Sequence, residues 1–561
     1  MTHFKTFLLA GFLSIGFFAS ASATQDRINA DTVIYGGTIY TADDSNPKAE
    51  ALAIKDGRFI FVGSRNDLAM YIGDTTQEID LGDNVLFPGF MDAHAHLAGI
   101  GERELSFNLE GTSSISDLQK RIESWRENHP DEAVIIGRGW IETHWPSKRF
   151  PSRFDIDQVV SDIPVVIVRA DGHALVVNTK ALEVMEVDAT TPVPFGGEIH
   201  RNALGELTGV LVDNAISLVS PLGDKATKST IEERLIAGGK VYARYGWTGL
   251  YNLSVDWSEI SPMEALSDRG DLSIRVNNAL MPEYAENLFR TGARVNRNER
   301  IKTKAIKLYM DGALGSRGAA LLEPYSDSDS MGLITQRKED VMPIMQYALS
   351  NGFQILTHAI GDRANREVLD WYEEVFAEIP ESDRAVADPR WRIEHAQHIN
   401  AADIPRFKTL GVIPSMQPSH AIGDLHFAPD RLGDERLSGA YAWQTLIDSG
   451  VIISGGSDAP VERGNPLIEF YAAAARMDLN GFQGANWHPE LAVSRENALK
   501  MFTLWPAIAA LQEDDLGTIT VGKKADLTAF NADIMTIDAA EIIKAKAMLT
   551  MVDGDIIYIA E

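Results

Sequence analysis

The 561-residue sequence contains no cysteine, so no disulfide can staple it and no thiolate can build a structural zinc site. Basic residues are comparatively few: 51 Lys and Arg stand against 80 Asp and Glu, a formal net charge of −29. A field of that sign repels phosphate backbones and excludes nucleic acid as an expected partner. Long apolar runs are missing too. The apolar stretch at residues 6–18 falls short of the ~20 residues a spanning helix needs, and no other run is long enough to cross a bilayer. There is no Gly-x-Ser-x-Gly elbow and no His-Glu-x-x-His helix, which counts against a serine hydrolase and a zincin protease. Residues 517–524 approach a phosphate-binding loop. They lack the Ser or Thr that would hold magnesium and lie in a strand-rich region, so nucleotide binding is set aside.

The chain start has its own character. Lys5, the apolar residues that follow and Ala21-Ser22-Ala23 form a secretory signal pattern. It predicts cleavage after Ala23 and a periplasmic or secreted mature protein without a membrane span. Residues 24–84 and 515–561 read as short strands with Asp-Gly turns at Asp56-Gly57 and Asp553-Gly554. Neither end has enough strands to bury a core alone, so the two are predicted to share one small β-sandwich.

Between them, short apolar runs alternate with longer helical patterns, the signature of parallel strands joined by crossover helices. Candidate strands fall at 85–91, 246–253, 272–280, 305–310, 353–357, 391–394, 412–416 and 451–455. Eight is the barrel number, and the prediction is an α/β fold with a (β/α)8 barrel over residues 85–514. Residues 99–245 are too many for one crossover and predict an inserted subdomain after the first barrel strand.

The first of these runs leads into Asp92-Ala93-His94-Ala95-His96. Side chains alternate along a strand, so His94 and His96 point the same way and can reach one metal ion together. Lys307, His358, His395 and Asp458 fall in or just past later strands, towards the rim where barrel enzymes place their active sites. Imidazole nitrogen and carboxylate oxygen suit a catalytic zinc or a similar divalent ion. Read without further context, Lys307 is an ordinary barrel lysine paired with a carboxylate such as Asp311. Glu394 should face away from His395 and play a supporting role. Asp362 either orients His358 or caps the next helix. His129, His144, His200, His398, His426 and His488 read as surface or loop residues.

These segments, together with Asp311-Gly312-Ala313-Leu314-Gly315-Ser316-Arg317, His358-Ala359-Ile360-Gly361-Asp362 and Gly456-Ser457-Asp458-Ala459-Pro460, resemble the amidohydrolase superfamily. The resemblance is to its family 3 branch, which includes metal-dependent hydrolases akin to N-substituted formamide deformylase. It implies a distorted barrel with a β-sandwich built from both termini. It also implies that His94, His96 and Asp458 hold the more buried of two Zn2+ ions, that His358 and His395 hold the more exposed one, and that Lys307 bridges them as an Nζ-carboxylate. An unmodified Lys307 would favour a single metal. The implied reaction is hydrolysis of an amide, N-acyl or N-formyl C–N bond in a small molecule by metal-activated hydroxide. Asp458 then accepts the water proton and passes it to the leaving amine. An esterase or lactonase on the same centre, and a non-catalytic metal-containing binding protein, are the alternatives. Trp140, His173, Arg317 and His420 are the candidate substrate contacts, with Asn178, Asp213 and Asp424 weaker ones. Aromatic residues in the insertion point to an apolar or aromatic group on the substrate. A homo-oligomer is compatible with the sequence.

Overall fold

The computed structural model describes residues 29–560 apart from 143–144, 170–173, 195–196, 226–228 and 316. The segment at residues 1–23, expected to be a secretory signal, lies outside the described residues. Eight strands form the central barrel: β1 (Phe90–Ala95), β2 (Trp247–Val255), β3 (Arg275–Leu280), β4 (Ile301–Tyr309), β5 (Gln354–Ala359), β6 (Arg392–His395), β7 (Ile413–Met416) and β8 (Ser454–Gly455). Each pairs in parallel with the next in sequence order. A parallel bridge between Ala95 and Ala459 brings the segment after β8 beside β1 and nearly closes the ring.

Amphipathic helices wrap the outside. The helix Asp362–Glu378 turns Ala364, Val368, Leu369, Tyr372 and Val375 inward at three- to four-residue spacing, the stripe expected of a helix packed on a sheet. Inside the ring, Tyr251, Leu253, Ala279, Ala305 and Leu356 form a small apolar plug, so the barrel is a packed core rather than a pore.

The run at 85–91, expected to be one barrel strand, divides between two sheets. Val85–Pro88 pairs antiparallel with Leu527–Phe530, and only Phe90–Ala95 enters the barrel. The break falls at Pro88-Gly89, where Pro88 brings no N–H to a ladder. A Cβ on Gly89 would sit 2.4 Å from Thr248 Oγ1, so the chain can cross between sheets there only as glycine.

The strands of the two chain ends lie in one eight-stranded sheet. Both Asp-Gly turns have positive φ at each residue (49° and 73° at Asp56 and Gly57, 51° and 80° at Asp553 and Gly554). That conformation matches the twist of a tight hairpin. Period-two alternation on Val85–Pro88 sends Leu86 into this sheet's own cluster and Val85 and Phe87 into the main core. One short strand thereby joins the sheet to the barrel. A six-stranded sheet with its own helices and apolar clusters occupies the segment between β1 and β2.

Candidate metal centre

His94 lies near the end of β1, Lys307 on β4, His358 near the end of β5 and His395 at the end of β6. His96 directly follows β1, and Asp458 stands three residues past β8. All six therefore meet at the C-terminal end of the barrel, and all six line one cavity of about 420 Å³.

The hydrogen bonds around the imidazoles decide what they present to that cavity. His94 Nδ1 is 2.7 Å from Glu394 Oε2, and His96 Nδ1 is 3.0 Å from the carbonyl oxygen of Leu253. Carboxylate and carbonyl oxygens only accept, so both Nδ1 atoms donate their protons, and in the neutral form of such a ring the lone pair is on Nε2. Those Nε2 atoms lie 3.4 Å (His94) and 3.0 Å (His96) from Asp458 Oδ1. Lone pairs on two nitrogens thus face a carboxylate oxygen, an arrangement that calls for a cation. His395 Nδ1 likewise donates to Gln417 Oε1 at 2.8 Å, and that amide is oriented by its own bond to the Ser415 carbonyl. Ligand atoms of His94, His395 and Asp458 all lie within 4.8 Å of one another.

Burial pulls the His94 imidazole down to about 4 and that of His358 to about 3, and holds His395 well below its usual range. The rings are therefore neutral, the state that binds metal. His358 Nε2 is buried without a hydrogen-bond partner among the described residues. The His358 ring centre is 4.4 Å from that of His395. The donor set fits a divalent ion.

Behind the ligands stands a fully buried pair. Arg392 Nε and Nη2 bond Glu394 Oε1 and Oε2 at 2.7 and 2.9 Å. Burial alone would raise the Glu394 carboxyl, but the Arg392 guanidinium holds it well below the usual carboxylate range, ready to accept from His94. Glu394 does turn away from His395, and the imidazole it orients is His94, some 300 residues distant in sequence.

Lys307 is buried and lowered to about 8 by that burial, and its ammonium has no hydrogen-bond acceptor among the described residues. Asp311, the alternative partner, instead accepts backbone N–H groups of Ile360, Gly361 and Ala320 at 2.8–2.9 Å. Asp362 accepts from the Leu322 N–H and opens the helix Asp362–Glu378; it makes no recorded bond to His358.

Two features place Asp458. Its N–H donates to the His94 carbonyl at 2.6 Å. Asp92, which the sequence reading gave no role, accepts from Ser457 N, Ser457 Oγ, His94 N and Tyr242 O–H at 2.6–3.0 Å. Period two puts Asp92 on the same strand face as His94, a signal that could have found it. A Cβ on Gly456 would lie 2.5 Å from the His94 nitrogen, so the loop approaches β1 this closely only with glycine. His395 and Asp458 both hold positive φ (70° and 61°), rare for side chains of this size. Such strain costs on the order of 1–3 kcal/mol per residue and gathers at functional sites.

The proposed substrate contacts divide. His420 lines the cavity, with Nε2 buried, unpartnered and 3.7 Å from Asp458 Oδ2. Asp424 also lines it and accepts from Gln397 and the Tyr441 hydroxyl at 2.6 and 2.7 Å. Trp140 is corrected: it is fully buried in the inserted subdomain beside Trp145 and Phe150, and its Nε1 donates to the Ile167 carbonyl at 3.0 Å. Arg317 is corrected as well. It pairs through two bonds with Asp327, at 3.0 and 2.8 Å, and is not on the cavity wall. Asn178 caps the helix Thr179–Val184 inside the insertion. His398, read as a surface residue, is buried with both ring nitrogens unpartnered among the described residues. His173 and the Asp213 side chain lie outside the described residues. Gln417, Phe427 and Glu462 were not singled out by sequence. Gln417 follows directly on β7, which could have marked it; nothing in the sequence marks the other two.

Residues 77–558 match the model of the amidohydrolase family. The chain is 30% identical to a putative amidohydrolase, YtcJ, of Bacillus subtilis, over 93% of this chain and 98% of that protein. It is 25% identical to the N-substituted formamide deformylase of Arthrobacter pascens, over 94% and 98% respectively. A crystal structure of an uncharacterized metal-dependent hydrolase from Pyrococcus horikoshii superimposes with a TM-score of 0.70 at 25% identity, covering 91% of this chain and 99% of that one. Among the described residues, no helix is long and apolar enough to cross a membrane.

Proposed function

We propose that this chain, which belongs to the amidohydrolase family, hydrolyses a carbon–nitrogen bond of a small amide, N-acyl or N-formyl compound. The observation that carries the proposal is the convergence of imidazole Nε2 atoms and the Asp458 carboxylate, with the Nδ1 atoms of three histidines already committed elsewhere. Likeness to a formamide deformylase supports the bond class.

His94, His96 and Asp458 would hold one divalent ion and His358 and His395 a second, with Lys307 between them as an Nζ-carboxylate; zinc suits these ligands. Such an ion supplies Lewis acidity towards the carbonyl and makes water nucleophilic near neutral pH. Glu394 and Gln417 keep His94 and His395 in the tautomer that binds. The second oxygen of Asp458, which faces His420, takes the proton from water and returns it to the leaving nitrogen. No serine or cysteine nucleophile is needed. Export through the signal at residues 1–23 would place the reaction in the periplasm or outside the cell. N-terminal sequencing of the exported protein, expected to begin at Thr24, checks this.

The test combines metal analysis with Asp458→Asn. The variant is expected to keep metal at His358 and His395 and to lose turnover of N-formyl and N-acetyl amines by about 10²–10⁴-fold. Unchanged turnover with metal retained would refute the role of Asp458. Faster turnover of matched esters than of amides would reassign the bond class.

A further inference from the structure

Resting on that reading, we infer that Asp424 and Glu462 form an acidic pole that selects amides carrying a positive charge close to the scissile bond. The cavity lining combines apolar with acidic side chains. The segment after β4 gives Leu314, which with Ile360, Phe427 and Val461 makes an apolar wall. Phe427 seats directly against that segment, its ring 3.4 Å from where a Cβ on Gly315 would be. The segments after β7 and β8 also bring Asp424, Glu462 and His420 to the lining.

His420 Nε2 lies 3.7 Å from Asp458 Oδ2 and 4.0 Å from Glu462 Oε1. By way of that nitrogen, the reacting carboxylate and Glu462 are less than 8 Å apart. That span accommodates a two- or three-carbon arm between a carbonyl carbon at the metal centre and a cation at Glu462. The Asp424 oxygen that accepts from Gln397 and Tyr441 is Oδ2, and Oδ1 has no recorded bond.

Among the described lining residues, the His420 imidazole is the one group outside the proposed ligand set placed to balance this pole. Lys307 is the only lysine or arginine among the described lining residues, and it belongs to the proposed ligand set. The arginines nearest the apolar side, Arg317 and Arg431, both pair with Asp327. Arg463, next to Glu462 in sequence, is not a lining residue. A substrate cation thus meets two carboxylates, whereas a substrate carboxylate finds no lysine or arginine outside the metal centre among the described lining residues. Charge-assisted bonds of this kind discriminate strongly in a partly desolvated pocket.

The experiment compares N-(2-ammonioethyl)benzamide with its uncharged counterpart N-(2-hydroxyethyl)benzamide on the metal-loaded enzyme. Both kcat/KM and, by calorimetry on the Asp458→Asn variant, Kd are measured. The charged amide is expected to be favoured by about tenfold or more. Glu462→Gln should bring the ratio to about twofold, and Glu462→Gln with Asp424→Asn should abolish it. Equal kcat/KM and Kd for the two amides in the wild type would overturn the inference. So would a preference that survives in the double variant. If neither amide is hydrolysed, the bond-class reading fails while the Kd ratio still decides the acidic pole.

Discussion

The barrel has two ends, and charge is handled differently at each. At the N-terminal end, Arg275 opens β3 and meets the terminal sheet. Its Nε and Nη2 bond Asp526 at 2.6 and 2.9 Å, Nη2 also reaches Asp553, and Arg300 Nε closes on Asp553 at 3.0 Å. The Asp553 N–H returns to Asp526. Each of these four charges has an opposite partner within the protein. At the C-terminal end, imidazole lone pairs face a carboxylate, and His358 Nε2 and His420 Nε2 are buried with no hydrogen-bond partner among the described residues. A saturated network holds two sheets together; an unsaturated one leaves valence for something outside the chain. Buried polar groups are costly unless satisfied, so a site that keeps them unsatisfied marks where a ligand belongs.

Removing one partner from each end should break the protein in different ways. The largest effect is expected at the base, where Arg275→Ala leaves Asp526 buried without its cation. Stability in urea should fall by about 3–5 kcal/mol, with metal content per folded molecule unchanged. At the rim, Glu394→Gln should weaken metal binding by about 10- to 100-fold in chelator competition, because the neutral amide no longer fixes His94 as firmly. If that variant loses stability but not metal affinity, the rim carboxylate is a structural group like those at the base and the contrast fails. The smallest effect is expected from Arg317→Ala. Its exposed pair with Asp327 should leave the melting temperature unmoved and kcat/KM for any substrate within about twofold. A tenfold change in specificity would return Arg317 to the substrate.

The barrel was legible because its strands are apolar runs separated by helical periodicity, and each of the eight runs overlaps a barrel strand, the first only at its end. The six proposed ligands were legible as polar residues interrupting or ending those runs. The sequence could not show the division at Pro88-Gly89, because hydrophobicity is continuous across a change of sheet. It could show that Glu394 turns from His395 but not that it meets His94, since strand alternation is local and barrel closure is not. Trp140 misled because an aromatic beside glycines looks the same in a pocket wall as in a packed subdomain. Glu462 was invisible because loop residues carry no periodicity.

The sheet shared by both chain ends constrains the order in which the molecule can be built. Thr32–Tyr40 pairs along one flank of the sheet, and the strands Leu527–Phe530, Ala547–Val552 and Asp555–Ile559 complete the other. A ribosome delivers those partners only after the whole barrel has emerged. Until then Val85–Pro88 has no Leu527–Phe530 to cover its edge, and Asp526 and Asp553 have not arrived to neutralise Arg275. A nascent chain with its barrel translated therefore exposes an open strand edge and an uncompensated arginine, the kind of surface that holdase chaperones retain.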